Sequence, residues 1–198
     1  MKPVTGVFLI AVAAQWAVPL VGVWQHERIL ARGTVVRIRC TAPDPYDPLR
    51  GRFLAVAAEQ TKFSKPVEMP VGRSVSVWAT LTADAEGLST VESLSLTPVS
   101  GPTVIKLVAR VPDWNREQET VTLEWPFDRF YLNERLAVDA DRRLAEVFSA
   151  GKRPVAVLRL RNGQAVLADL LLDGVSVGEG IRKPKASQDK IPLTPASS

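Results

Sequence analysis

The chain has 198 residues, 46% of them hydrophobic, with 25 Lys and Arg against 21 Asp and Glu, a net charge of +4, one His and one Cys. A lone cysteine excludes an internal disulfide, and Cys40 with His26 cannot furnish the four ligands of an ordinary zinc site. The basic residues are dispersed, with no stripe of interleaved aromatics, which argues against a nucleic-acid partner and for a mildly basic surface facing anionic lipid.

Residues 4–24 hold no charged side chain. About 21 residues at roughly 1.5 Å each make an apolar helix of about 31 Å, which matches a bilayer core of about 30 Å. Met1 and Lys2 give the basic start of a secretory signal, yet the run is too long for one and ends in Val21, Gly22, Val23 and Trp24, a poor cleavage site. The expectation is therefore an uncleaved single-pass transmembrane anchor rather than a cleaved signal or a buried core helix. No cysteine lies near it to carry a lipoprotein anchor. Gln15 and Pro19 are tolerable in such a helix, and Trp24 suits the interface, while Trp16 sits deeper than an aromatic belt. Ala11, Ala13, Ala14 and Gly22 allow close approach of a partner helix. Lys2 on one side and Arg28 and Arg32 beyond the other leave the positive-inside bias weak. A short tail (1–3) before a large C-terminal part nonetheless resembles a signal-anchor, so the expected location is the bacterial inner membrane with the main domain periplasmic.

Residues 25–32 continue the helix or form a juxtamembrane stalk, broken by Gly33. Residues 34–40 alternate as a half-buried strand does, with Cys40 as a small strand residue. In 43–51 three prolines fix φ and Asp44 and Asp47 favour turns, predicting a rigid loop. Strands are predicted over 53–58, 72–81, 88–96, 103–111 and 120–125, with Val75, Val77 and Ala79 facing one way. Leu136, Ala140, Leu144, Val147 and Phe148 recur at helical spacing, predicting a short amphipathic helix that ends near Gly151. Residues 155–160 and 164–172 form a hairpin around Asn162-Gly163, a doublet suited to a type I′ turn. The Lys-, Pro- and Ser-rich segment 181–198 reads as a flexible basic tail. The predicted fold is mainly β, in antiparallel sheets of β-sandwich type, α+β with one short helix, over residues 33–180 behind the single transmembrane helix.

Pro43, Asp44, Pro45, Asp47, Leu49, Arg50 and Gly51, following an apolar helix, a Leu30-to-Gly33 segment and a strand, resemble the signature loop of the GDYXXLXY family of bacterial membrane-anchored proteins. The eponymous motif departs from the family pattern: Arg52 stands where the family has an acid, Ala58 where it has its last aromatic, and Phe53 and Val56 are stand-ins. A second landmark, over 125–134, resembles the family's aromatic-x-x-x-Glu stretch through Tyr131 and Glu134. The resemblance implies an accessory or sensor-like subunit beside a multi-pass membrane protein, with no settled activity.

Two chemistries compete at the loop. Asp44 and Asp47 beside Arg50 can serve as an acid/base pair of a membrane-tethered hydrolase, or they can cap turns next to prolines. The turn role is the expectation, as is a helix-start role for Glu134. Ser64 and Lys65 are neighbours that a strand would point to opposite faces, and Lys106 has no motif serine, so a Ser-Lys peptidase is not supported. Trp78 and Trp125 read as core or interface residues, and Trp114, after Pro112-Asp113, as a point of partner contact. The sequence thus predicts a membrane-anchored binding or accessory subunit with no catalytic residue, no metal and no cofactor. Its expected partners are the bilayer and a multi-pass membrane protein; any small-molecule ligand is unspecified.

Overall fold

A computed structural model describes residues 3–41, 53–65, 69–70, 73–111, 120–131 and 134–178, with residues 3–11, 13, 14, 53 and 134–138 described through their backbone alone. The predicted loop over 43–51 and the tail over 181–198 lie outside the described residues.

The first element is a helix, α1 (Pro3–Arg32), of 30 residues, which runs through Pro19 without ending. Stalk and apolar segment are one helix. Among the described residues, no helix is long and apolar enough to cross a membrane. The helix stops where predicted: the Gly33 amide donates to the Ile29 carbonyl at 2.8 Å, closing the last turn. A Cβ at Gly33 would sit 2.5 Å from the Ile29 carbonyl oxygen and 3.1 Å from both Arg159 Cβ and the Leu160 oxygen. Only glycine lets the helix turn so tightly into a strand.

That strand, β1 (Thr34–Thr41), begins one residue later and alternates as predicted, with Val36, Ile38 and Cys40 buried. The predicted strand over 53–58 is broken in two, β2 (Phe53–Ala55) and β3 (Ala57–Ala58). They have different partners: β2 pairs with β9 (Arg129–Tyr131), whereas β3 pairs with β1. The chain then crosses to a second sheet through β4 (Lys62–Ser64), too short for any pattern to announce it. The remaining strands are β5 (Ser74–Ala83), β6 (Ser89–Ser95), β7 (Val104–Arg110), β8 (Thr120–Glu124), β10 (Val155–Arg161), β11 (Gln164–Leu172) and β12 (Val175–Ser176). One five-stranded sheet has the order β12-β11-β10-β1-β3, the other β4-β8-β7-β5-β6, and the paired strands within both are antiparallel.

The two sheets share one core. Val36, Ile38, Leu158 and Leu160 from the first join Val77, Ala79, Leu107 and Leu123 from the second in a single cluster. Val77 and Ala79 face inward as predicted, with Val75 only half-buried. The second helix, α2 (Glu134–Ser149), puts Ala140 and Leu144 into the same core. It ends at Gly151, whose φ is 71°: Lys152 N–H donates to Val147 O and Gly151 N–H to Phe148 O, each at 3.0 Å, the paired bonds of a Schellman cap.

The predicted hairpin is present. Asn162 and Gly163 both have positive φ, 51° and 77°, as a type I′ turn requires. Its tip reaches the other sheet: Gly163 bridges to Ile105, its carbonyl accepts the Lys106 N–H at 2.8 Å, and its α-carbon lies against the Trp78 ring. A second doublet, Asp173-Gly174, with φ of 54° and 77°, turns β11 into β12, a strand the sequence reading did not anticipate.

Candidate functional site

Of the residues singled out from the sequence, Asp44, Pro45, Asp47, Leu49, Arg50, Gly51 and Trp114 lie outside the described residues. Glu134 opens α2, with only its backbone described. Tyr131 is 71% exposed at the end of β9. What the fold does bring together is the two landmark stretches. The loop ends at Gly51, and Phe53, two residues on, pairs with Tyr131; Leu54↔Phe130 and Ala55↔Arg129 follow. The Val56 amide extends the ladder by donating to Asp128 O at 3.1 Å. Residues distant in sequence thus form one small two-stranded sheet in front of α2. Leu54 is buried while Tyr131 points outward, so the strand pair is anchored on one face and presents the other.

The second landmark begins at Trp125, which lines a cleft of about 220 Å³ where the sheets meet. Its apolar surface comes from Ile38, Leu88 and the half-buried Trp125 ring, which tilts against Phe127 with centroids 6.0 Å apart. Trp125 Nε1 donates to the Gln60 carbonyl at 2.8 Å. The Gln60 side chain covers the outer edge of β6, accepting from Val91 N–H at 2.8 Å and donating to Val91 O at 3.5 Å. A side-chain amide here takes the place of a neighbouring strand. Asp84 Oδ1 accepts from the Glu86 and Leu88 amides, each at 2.9 Å, and shapes the β5–β6 turn at the mouth.

Charges chain along the rim: Arg153 Nε lies 3.8 Å from Glu59, Glu59 3.9 Å from Arg39 Nε, and Arg39 Nη2 3.5 Å from Glu86. Arg39, Glu59 and Arg153 are about half-exposed and Glu86 more so, so the network orients the rim more than it stabilises the fold. Local sequence gave no signal for this arrangement. Glu59 and Gln60 read as a polar end to an apolar run, and their partners come from β1, β6 and the segment before β10.

Chemically, the cleft has an apolar floor and a polar collar. Its volume falls below the roughly 300 Å³ at which small-molecule sites begin and is of the order of one or two side chains. Among the described residues no three His, Cys, Asp or Glu converge as a metal site would require. No hydrogen bond joins Ser64 to Lys65 or Lys106 among them, and Ser64 and Lys106 are both exposed. Cys40 is fully buried, and desolvation, aided by Glu59 and opposed by the Ala156 backbone, pushes its thiol up to about 11. It is a neutral packing residue, as its place in the alternating run predicted. Partial burial also raises the Asp141 carboxyl on α2.

A family model described as "GDYXXLXY protein" matches residues 15–170, from the helix through β11. No curated protein and no solved structure matches the chain.

Proposed function

The chain belongs to the GDYXXLXY family, and we propose that it is a membrane-anchored accessory subunit that binds a multi-pass membrane protein through its β domain. The observation that carries this reading is the state of α1. Trp16, Val18, Leu20, Val21, Val23 and Trp24 are each at least half-exposed, and the β domain leaves them uncovered. Apolar side chains all round a helix are stable in lipid or against other helices, and costly in water at about 25 cal/mol per Å². The length comes from the sequence, the uncharged stretch over residues 4–24, since the described residues alone hold no helix long and apolar enough to span.

The helix is also fixed to the domain. Ile29 is buried, Arg159 Nη1 donates to the Gly33 carbonyl at 3.1 Å, and β1 starts without a linker. A domain held this way sits in one orientation above the bilayer, with the Trp125 cleft and the β2–β9 pair as surfaces for a neighbour. The export reading places that surface in the periplasm. Among the described residues no nucleophile–base pair is formed, and the Asp44, Asp47 and Arg50 loop that a hydrolase would use lies outside them.

Membrane fractions washed with alkaline carbonate test the anchor: the full chain stays in the pellet if α1 is embedded and is released if it is not. Purification in mild detergent followed by mass spectrometry tests the partner, with a multi-pass protein recovered in stoichiometric amount as the expected result. Recovery of the chain alone removes the subunit reading. An alkaline phosphatase fused to the C-terminus is active only if the domain is exported.

A further inference from the structure

Where α1 meets the hairpin tip there is a second cleft, of about 310 Å³, walled by Trp24, Gln25 and Arg28 on the helix and by Arg161, Asn162 and Gln164 on the hairpin. We propose that it holds the phosphate headgroup of an anionic phospholipid. The inference rests on the anchored reading of α1 and adds a ligand to it.

The lining has a definite chemistry. Two guanidinium groups and three carboxamides face it, and no carboxylate does. Among the described residues neither Arg28 nor Arg161 has an ion-pair partner. Guanidinium donors match phosphate oxygens two at a time, and carboxamide N–H groups complete an anion's shell. Arg28 is also oriented, its Cζ 4.6 Å from the centre of the Trp24 ring, an arrangement that leaves its N–H edges for a ligand.

Both walls are held in place. The helix wall is set by buried Ile29 and by the glycine turn at Gly33, which leaves no room for a Cβ. The hairpin wall is pinned by Gly163 against Trp78 and by its bond to Lys106 N–H. The cleft therefore keeps its shape without ligand, which lowers the entropic cost of binding. Its height is defined by the helix. The exposed apolar side chains end at Trp24, and Gln25 begins the polar turn, so the cleft lies where acyl chains give way to headgroups. A soluble anion has no reason to be presented at that level.

Native mass spectrometry of the full chain, in detergent micelles doped with equal phosphatidylglycerol and phosphatidylcholine, tests the proposal. The expected result is a marked excess of phosphatidylglycerol adducts, reduced by at least about tenfold in the Arg28→Gln/Arg161→Gln double variant. The Arg28→Lys/Arg161→Lys variant keeps the charge but loses the paired donors, and an intermediate excess is expected. Equal retention of both lipids by the native chain overturns the proposal. So does undiminished preference in the Lys variant, which would make the effect diffuse charge. Loss of the adducts on adding inorganic phosphate on the order of 10 mM would assign the cleft to free phosphate and overturn the lipid reading. Carbonate extraction of the same native chain separates the two readings: retention in the pellet without lipid selectivity removes the cleft alone, whereas release removes both.

Discussion

Gly163 and Gly174 occupy the same backbone conformation, φ 77°, at the second position of two similar turns, yet their surroundings differ. A Cβ on Gly163 would lie 2.4 Å from the Trp78 ring, while one on Gly174 would meet nothing within 4 Å. Alanine at 174 should therefore cost only the left-handed backbone penalty, about 1 kcal/mol. Alanine at 163 adds overpacking of about 1–3 kcal/mol, because the half-buried ring must shift off the hairpin tip to clear the new methyl. Urea midpoints of the two variants measure the difference directly; equal midpoints would mean that the hairpin tip is not seated on Trp78. Cys40 gives a second residue-scale prediction. Its folded thiol ionises at about 11 against an ordinary 9.0, so folding favours the neutral form. Above pH 9 the unfolded chain loses its proton while the folded chain keeps it, and stability falls until about pH 11. The loss is about 2–3 kcal/mol. Urea unfolding across that window should show it in the native protein and a smaller decline in Cys40→Ala.

At the scale of elements, strands with clean alternation and turns with a committed doublet were legible. β1 shows Val36, Ile38 and Cys40 inward, and Asn162-Gly163 carries a turn type in its composition. The apolar run over 53–58 was legible as β structure but not as two strands. Period-two patterning says which face is buried, not which neighbour a strand takes, and the switch of partner at Val56 leaves no mark in the pattern. β4 and β9, three residues each, and β12, two residues, are too short to show a period. The Trp125 cleft was hidden for a related reason, since Gln60 acts on a strand 31 residues away. That contact makes its own prediction. Gln60→Leu removes both partners of Val91 and leaves its N–H and C=O in a half-covered edge, costing about 1–3 kcal/mol. Hydrogen exchange at the Val91 amide should accelerate by at least about tenfold, while amides in β7 stay protected. Unchanged exchange at Val91 would mean water serves that edge as well as the glutamine does.

For the whole molecule, the decisive property is that the chain passes between its two sheets more than once. Residues 57–64 leave the first sheet at β3 and enter the second at β4, bonded on the way through Glu59 N–H to Arg39 O and Leu123 N–H to Thr61 O. The β10–β11 hairpin returns the link by bridging Gly163 to Ile105. Buried residues of both sheets and of α2 then fall in one cluster, so neither sheet retains a closed core when the other opens. Domains built this way lose their packing all at once. In the full chain held in detergent, tryptophan fluorescence reports the Trp78 and Trp125 contacts between sheets, and far-ultraviolet circular dichroism near 218 nm reports the strands themselves. The two urea transitions should coincide in midpoint and slope; with α1 embedded as proposed, its helical signal persists beyond them. A fluorescence transition well ahead of the loss of strand signal would show that the sheets part before they melt, and that the crossings at 57–64 and 163 are hinges instead of seams.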